Sequence, residues 1–78
     1  MTRFYFDLHN DEVTIDEEGV EFADLDAARD CATREVRAIA AESVKEHSHL
    51  VRSHRIVIRD GDREVAAVTF GEVIAVRD

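Results

Sequence analysis

Residues 3–9, Arg-Phe-Tyr-Phe-Asp-Leu-His, decide the fold of this chain. In this stretch Phe4, Phe6 and Leu8 alternate with polar residues, and an extended backbone would place the three apolar side chains on one face. The alternation predicts a half-buried strand that packs one face on a core. The opposite face would carry Arg3, Tyr5, Asp7 and His9.

The next part of the chain predicts a hairpin followed by a long helix. Residues 10–12 have the composition of a turn, and residues 13–16 alternate again as a second strand. Val20 and Phe22 are expected to contact the core from an extended connection. Asp24 is a good helix N-cap, because its carboxylate can accept a hydrogen bond from an orphan backbone amide. A helix over residues 25–46 would then direct one narrow stripe to the sheet, formed by Leu25, Ala28, Ala32, Val36, Ile39 and Ser43.

A second hairpin is predicted after the helix. Residues 55–59 alternate as a strand, residues 60–62 (Asp-Gly-Asp) give a hairpin turn, and residues 65–70 form the returning strand. Residues 73–76 are apolar again and fit either a short fifth strand or a turn of helix. The sequence therefore predicts an α+β fold with a two-layer ββαββ order. Four strands, or five with residues 73–76, would form one antiparallel sheet with one long helix on one face. Residues 1–78 would make a single domain.

The net charge of −8 lies entirely in the first 26 residues, which hold nine acids and one base, while the other 52 residues hold nine of each. This acidity disfavours direct contact with nucleic acid or an anionic membrane and favours a protein partner with a basic surface. No apolar run is long enough for a signal peptide or a membrane helix. The one cysteine, Cys31, cannot form an internal disulfide, so we expect a cytoplasmic protein.

The acidic residues of the first hairpin are the candidate partner surface. An EF-hand is excluded, because a calcium loop beginning at Asp7 or Asp11 would lack glycine at its sixth position. A weaker cation site and a purely solvated hairpin remain as alternatives. The acidic partner surface would consist of Asp11, Glu12, Asp16, Glu17 and Glu18.

Three histidines follow the helix with the spacing His-x-His-x4-His. Imidazoles so arranged can ligate zinc, nickel or copper, which makes the chain a candidate metal-binding protein. A charged imidazole near a helix C-terminus is the alternative interpretation for His47. The candidate ligands are His47, His49 and His54.

A second line of small residues on the helix is a candidate dimer strip, since small residues let two helices approach closely. A homodimer would also enlarge the core of a chain this short. The dimer strip would consist of Ala27, Cys31, Ala38 and Ala41.

The open face of the first strand offers little for catalysis. Asp7 and His9 share that face, but no positioned nucleophile or oxyanion loop accompanies them. If the first and third strands are neighbours, their acids and bases should instead pair across the sheet. We therefore expect neither enzymatic activity nor a cofactor.

Three segments together resemble a family of small bacterial proteins that is defined only as a domain of unknown function. They are residues 3–10 (RFYFDLHN), 16–21 (DEEGVE) and 24–29 (DLDAAR), and residues 56–60 with the following turn and strand are also similar. The resemblance covers essentially the whole chain, and it implies the hairpin–helix–hairpin order but no activity. One departure is the turn at residues 10–12, where the relatives tend to carry glycine.

Three functions remain open from the sequence. The main hypothesis is a non-enzymatic accessory module that binds another protein. The second is an antitoxin-like or nucleic-acid-mimic inhibitor of a basic enzyme, because an acidic surface can occupy a basic site by charge complementarity. The third is a metal-binding protein.

Overall fold

The computed structural model describes residues 1–74. In chain order the elements are β1 (Thr2–His9), β2 (Val13–Thr14), β3 (Val20–Phe22), α1 (Leu25–His47), β4 (Arg55–Asp60), β5 (Arg63–Thr69) and α2 (Phe70–Val73).

The strands form one antiparallel sheet in the order β2-β1-β4-β5. The N-terminal half of β1 pairs with β3, and its C-terminal end pairs with β2. Along its other side β1 pairs with β4, which joins the two halves of the chain in the centre of the sheet. The long helix packs on one face, so the predicted two-layer α+β fold is confirmed.

The core lies between α1 and one face of the sheet. Ala28, Ala32, Val36 and Ala40 are buried along the helix. The alanines have no side chain beyond Cβ, so the helix axis can approach the strands closely. The sheet contributes Phe4, Ile56, Ile58 and Val68, and α2 contributes Phe70. Leu25 and Ile39, which the stripe included, are partly buried against this core, whereas Ala40 was not expected there.

Local signals set both ends of α1. The Asp24 carboxylate accepts a hydrogen bond from the Ala27 amide at 2.8 Å, as the N-cap prediction requires. At the other end Ser48 adopts a left-handed conformation with φ of 60°, and its amide donates to the Val44 carbonyl. The Ser48 backbone therefore closes the C-terminus, one residue after His47.

The segment between β1 and α1 departs from the sequence prediction. The second strand has two residues rather than four, and Ile15 is 54% exposed. Val20 is 58% exposed, so its predicted core contact is wrong. Phe22 does reach the core, where its ring stacks on Phe6 with centroids 5.7 Å apart. Residues 20 and 22 share one face of β3, and the core covers that face at Phe22 but not at Val20.

The fifth strand of the sheet is β3, rather than the segment 73–76. Val73 ends the short helix α2, which begins with a capping box between Thr69 and Glu72. Residues 75 and 76 lie outside the described residues. Among residues 1–74, neither helix combines the length and apolar character that a membrane crossing requires.

Candidate functional site

A buried ion pair lies on the sheet face opposite α1. Asp7 is only 3% exposed, and its carboxylate accepts hydrogen bonds from Nε and Nη2 of Arg59 on β4. The Arg59 guanidinium also lies over the Tyr5 ring, 4.9 Å from its centroid. The expected pairing of acids and bases between these neighbouring strands is therefore confirmed. The Asp7 carboxylate links the side chains of β1 and β4.

Asp16 connects this ion pair to the edge of the sheet. Its amide donates to Oδ1 of Asp7 at 2.9 Å, and its carbonyl accepts from Nη2 of Arg59. Its own Oδ2 accepts from the Phe6 amide at 3.0 Å, in the gap along β1 between β2 and β3. Oδ1 accepts from the amides of Glu18 and Gly19. The Asp16 carboxylate thus accepts a hydrogen bond from the Phe6 amide where neither β2 nor β3 pairs with β1, and it also holds the loop at residues 18 and 19 through their amides.

The electrostatics of this network favour the ionised acids. Burial alone would raise the pKa of Asp7, but the Arg59 hydrogen bonds and the Asp16 amide outweigh it and lower the pKa. Burial likewise opposes a lower pKa at Asp16, and the amides of Phe6, Gly19 and Glu18 outweigh it. The hydrogen bond to Asp7 raises the pKa of Arg59. All three groups are therefore charged at neutral pH.

The predicted acidic surface is divided by this arrangement. The Asp16 carboxylate is directed inward to three amides, while Asp11, Glu12, Glu17 and Glu18 are exposed. Glu17 and Glu18 border a shallow groove of about 440 Å³ with Phe6, Leu8, Thr14, Ile15 and Asp16. Asp11 and Glu12 lie at the end of the hairpin and border a second, larger cavity.

The turn between β1 and β2 brings Asp11 and Glu12 to that cavity. The Asn10 amide donates to the Glu12 carbonyl, and the Glu12 amide donates to the Asn10 side-chain oxygen at 3.0 Å. Asparagine side chains stabilise such turns. This bond closes a turn whose residues 10–12 include no glycine.

The cavity has a volume of about 540 Å³ and is bounded by the hairpin turn, the last turns of α1, the following loop and α2. Ile39 and Phe70 supply its apolar surface, and four carboxylates surround it. None of the described lining residues is lysine or arginine. The carboxylates belong to Asp11, Glu12, Glu42 and Glu46.

All three predicted metal ligands border this cavity. The His54 ring is half-buried, edge-on to Phe70, with Nε2 3.5 Å from an Asp11 oxygen. His47 and His49 lie with ring centroids 5.9 Å apart, and Nδ1 of His49 lies 2.9 Å from the His47 carbonyl. Within residues 1–74, however, no three His, Cys, Asp or Glu side chains are arranged to hold a metal ion. A metal site would require these side chains to rearrange.

The predicted dimer strip runs along α1. Ala38 and Ala41 are exposed, whereas Ala27 and Cys31 are half-buried.

Sequence reasoning missed two features of these sites. It placed Asp16 among the partner-facing acids. Two of the amides that donate hydrogen bonds to the Asp16 carboxylate, those of Glu18 and Gly19, lie within three residues of it in sequence. It also overlooked Glu42 and Glu46, one helical turn apart beside the predicted core residue Ile39. That spacing was a usable signal, because residues four apart share a helix face.

The chain belongs to the family described as Domain of unknown function (DUF6894), whose model matches residues 3–71. The curated proteins and the solved structures contain no significant match to it.

Proposed function

We propose that this member of the DUF6894 family is a non-enzymatic accessory module that binds basic side chains of a protein partner. The observation that carries the proposal is the cavity beside the first hairpin. Four carboxylates surround an apolar surface there, and its described lining contains no lysine or arginine.

This combination matches the chemistry of a lysine or arginine side chain. Such side chains place their methylene stems on apolar surface and keep the charged head near water or a counter-ion. Ile39 and Phe70 would contact the stem. The carboxylates of Glu42 and Glu46, from successive turns of α1, would receive the charged head.

The open face of the sheet supports a non-enzymatic role. Asp7 is the buried acid on that face, and its carboxylate is engaged by Arg59 and by the Asp16 amide. A general base must be free to take a proton from a substrate. The network instead stabilises the loop that leads from β2 to β3. A cytosolic location agrees with the single cysteine.

A narrower form of the proposal is an antitoxin-like or nucleic-acid-mimic inhibitor. Glu17 and Glu18 border the shallow groove and supply negative charge outside the lining of the cavity. Separated acids could follow the phosphate sites of a basic enzyme. An inhibitor of this kind would compete with nucleic acid for the partner, whereas an accessory module would not.

The test is a calorimetric titration of the protein with a lysine-rich peptide at low and high salt. The double variant Glu42→Gln/Glu46→Gln should bind about fivefold more weakly, because each exposed ion pair contributes ~0.5 kcal/mol. Asp30→Asn/Glu35→Gln is the matched control. It removes two exposed acids from the same helix, away from the cavity lining.

The two double variants separate a site from general attraction. Binding that weakens in the cavity variant, persists in the control and declines with salt supports the proposal. Equal weakening in both variants would mean that the peptide responds only to net charge, and the cavity would then have no special role.

A further inference from the structure

Strand β5 forms one edge of the sheet. It pairs with β4 on one side, and no strand within residues 1–74 pairs with its other side. The helix α1 packs on one face of the sheet and not along this edge. An open edge presents backbone amides and carbonyls to which another strand can bind.

The register shows which backbone groups face outward. The Phe70 amide donates to the His54 carbonyl at 2.8 Å, which continues the β4–β5 register by one hydrogen-bonded pair. Antiparallel pairs alternate between bonded and non-bonded. The Val57–Ala67 pair is therefore non-bonded, and the amide and carbonyl of Ala67 point away from β4.

The neighbouring residues agree with this assignment. Thr69 is two residues from Ala67 and must also direct its amide outward, and that amide donates to the Glu72 side chain at 2.7 Å. The capping box thus occupies the end of the edge and leaves Ala67 at its centre.

This edge has little of the protection that natural sheets use. Exposed edges are usually interrupted by charged residues, proline or bulges. Arg63, Glu64 and a register shift near Arg59 protect the first part of β5. Residues 65–69, Val-Ala-Ala-Val-Thr, contain neither charge nor proline. Ala67 is exposed, and its small side chain obstructs no approaching strand.

The charge distribution favours a second copy of this chain as the occupant of the β5 edge. Residues 1–26, with a net charge of −8, form β1, β2 and β3, and β2 lies at the opposite edge of the sheet from β5. Residues 27–78 have no net charge. If two β5 strands paired, seven strand spacings of ~4.8 Å would place the two β2 strands about 34 Å apart. This exceeds the screening length of ~8 Å in physiological salt, so the acidic regions would repel little.

We infer that two copies of this protein pair antiparallel through the β5 edges and form a two-fold dimer with one continuous sheet. The two Ala67 residues lie near the symmetry axis, and both acidic cavities remain open. The dimer does not depend on the proposed binding of a basic partner. Loss of peptide binding in Glu42→Gln/Glu46→Gln should leave the dimer intact.

The test combines sedimentation equilibrium over a wide concentration range with three variants. Ala67→Pro removes the outward amide but no β4–β5 hydrogen bond, and proline is tolerated at such edge positions. Dimerisation should weaken by at least about tenfold in this variant, since two backbone hydrogen bonds across the axis are lost. Ala67→Ser keeps the amide and should dimerise like the wild type. Ala38→Glu/Ala41→Glu, on the helix strip, should do the same.

Other results would overturn the inference. A wild type that is monomeric throughout would do so, as would a folded Ala67→Pro that dimerises normally. Monomeric Ala38→Glu/Ala41→Glu would transfer the interface to the helix. If Ala67→Pro does not fold, hydrogen exchange of the wild-type Ala67 amide decides. Protection that rises with concentration supports pairing, and fast exchange at every concentration contradicts it.

Discussion

Replacing Asp16 with alanine should destabilise the protein although the residue is only partly buried. Its carboxylate accepts hydrogen bonds from the amides of Phe6, Glu18 and Gly19. Alanine would leave all three amides without their acceptor. The Phe6 amide is the most affected, because it lies within β1 between the two short strands that pair with its edge.

The size of the effect follows from these three bonds. A hydrogen bond to a charged acceptor contributes ~1.5–3 kcal/mol, and three would give an upper limit of ~4.5–9 kcal/mol. The bond to Glu18 is exposed, and water can replace much of it. Those from Phe6 and Gly19 are part-buried, and we expect each to retain ~1–1.5 kcal/mol. The expected loss is about 2–3 kcal/mol, or roughly 10–20 °C in Tm for a domain of this size.

Thermal and urea unfolding followed by circular dichroism would measure this loss. Glu17→Ala is the matched control, because it removes the same charge from the neighbouring exposed residue. Its effect should stay within ~0.5 kcal/mol of the wild type. If Asp16→Ala and Glu17→Ala have the same free energy of unfolding, the Asp16 carboxylate does not organise the loop, and the role assigned to its three hydrogen bonds is wrong.

Three further predictions concern the same structure. Folding lowers the pKa of Asp7 and Asp16, so the unfolded chain binds protons more readily than the folded chain. The urea midpoint of unfolding should therefore keep its value at pH above 3.8, the ordinary pKa of these groups, and fall as the pH drops below it. A midpoint that does not change with pH would contradict the network. Gly19→Ala should lower the free energy of unfolding in urea more than Gly61→Ala does. Both glycines have positive φ, but only a Cβ at position 19 would lie 2.9 Å from the Phe4 carbonyl oxygen. Equal losses of stability in the two variants would show that this contact relaxes freely. If the cavity binds zinc, added zinc should raise Tm by mass action. Ligation by His47, His49 and His54 would be rejected if zinc does not raise the Tm of the wild type, or if it still raises the Tm of the variant with alanine at all three positions.

The elements of this fold that were predictable from sequence depend on local patterns. The alternation in residues 3–9 gave the central strand, because period two directly reports which side chains share a face. Asp24 marked the helix start, and the Asp60–Gly61 step marked the second hairpin, since each acts through its own backbone neighbourhood. These signals need no knowledge of the distant chain.

The errors arose where distant residues decide the outcome. Val20 and Phe22 share one face of β3, which was compatible with core burial at both, but the core reaches only the Phe22 end of this short strand. Ala40 fell outside the narrow stripe because the sheet covers a wider sector of the helix than the stripe assumed. Asp16 looked like any hairpin acid, since its acceptor role depends on where β2 ends.

The candidate site was predictable only in part. The clustering of three histidines after the helix was visible in the sequence, and the structure does place all of them around one cavity. Two of its four acids come from the hairpin turn and two from the end of α1. The turn and the helix end are about 30 residues apart in sequence and meet only in the folded chain, so a local search could not join these acids.

The most direct test of the proposed interaction is an NMR titration of the 15N-labelled protein with a lysine-rich peptide. The amides of Ile39, Ser43, His54 and Phe70 should shift together, since these residues border the cavity without carrying a carboxylate. Exposed acids elsewhere, such as Glu17 and Glu18, should shift much less. Shifts spread evenly over the acidic residues, with none at Ile39 or Phe70, would contradict a specific site and leave only diffuse charge attraction.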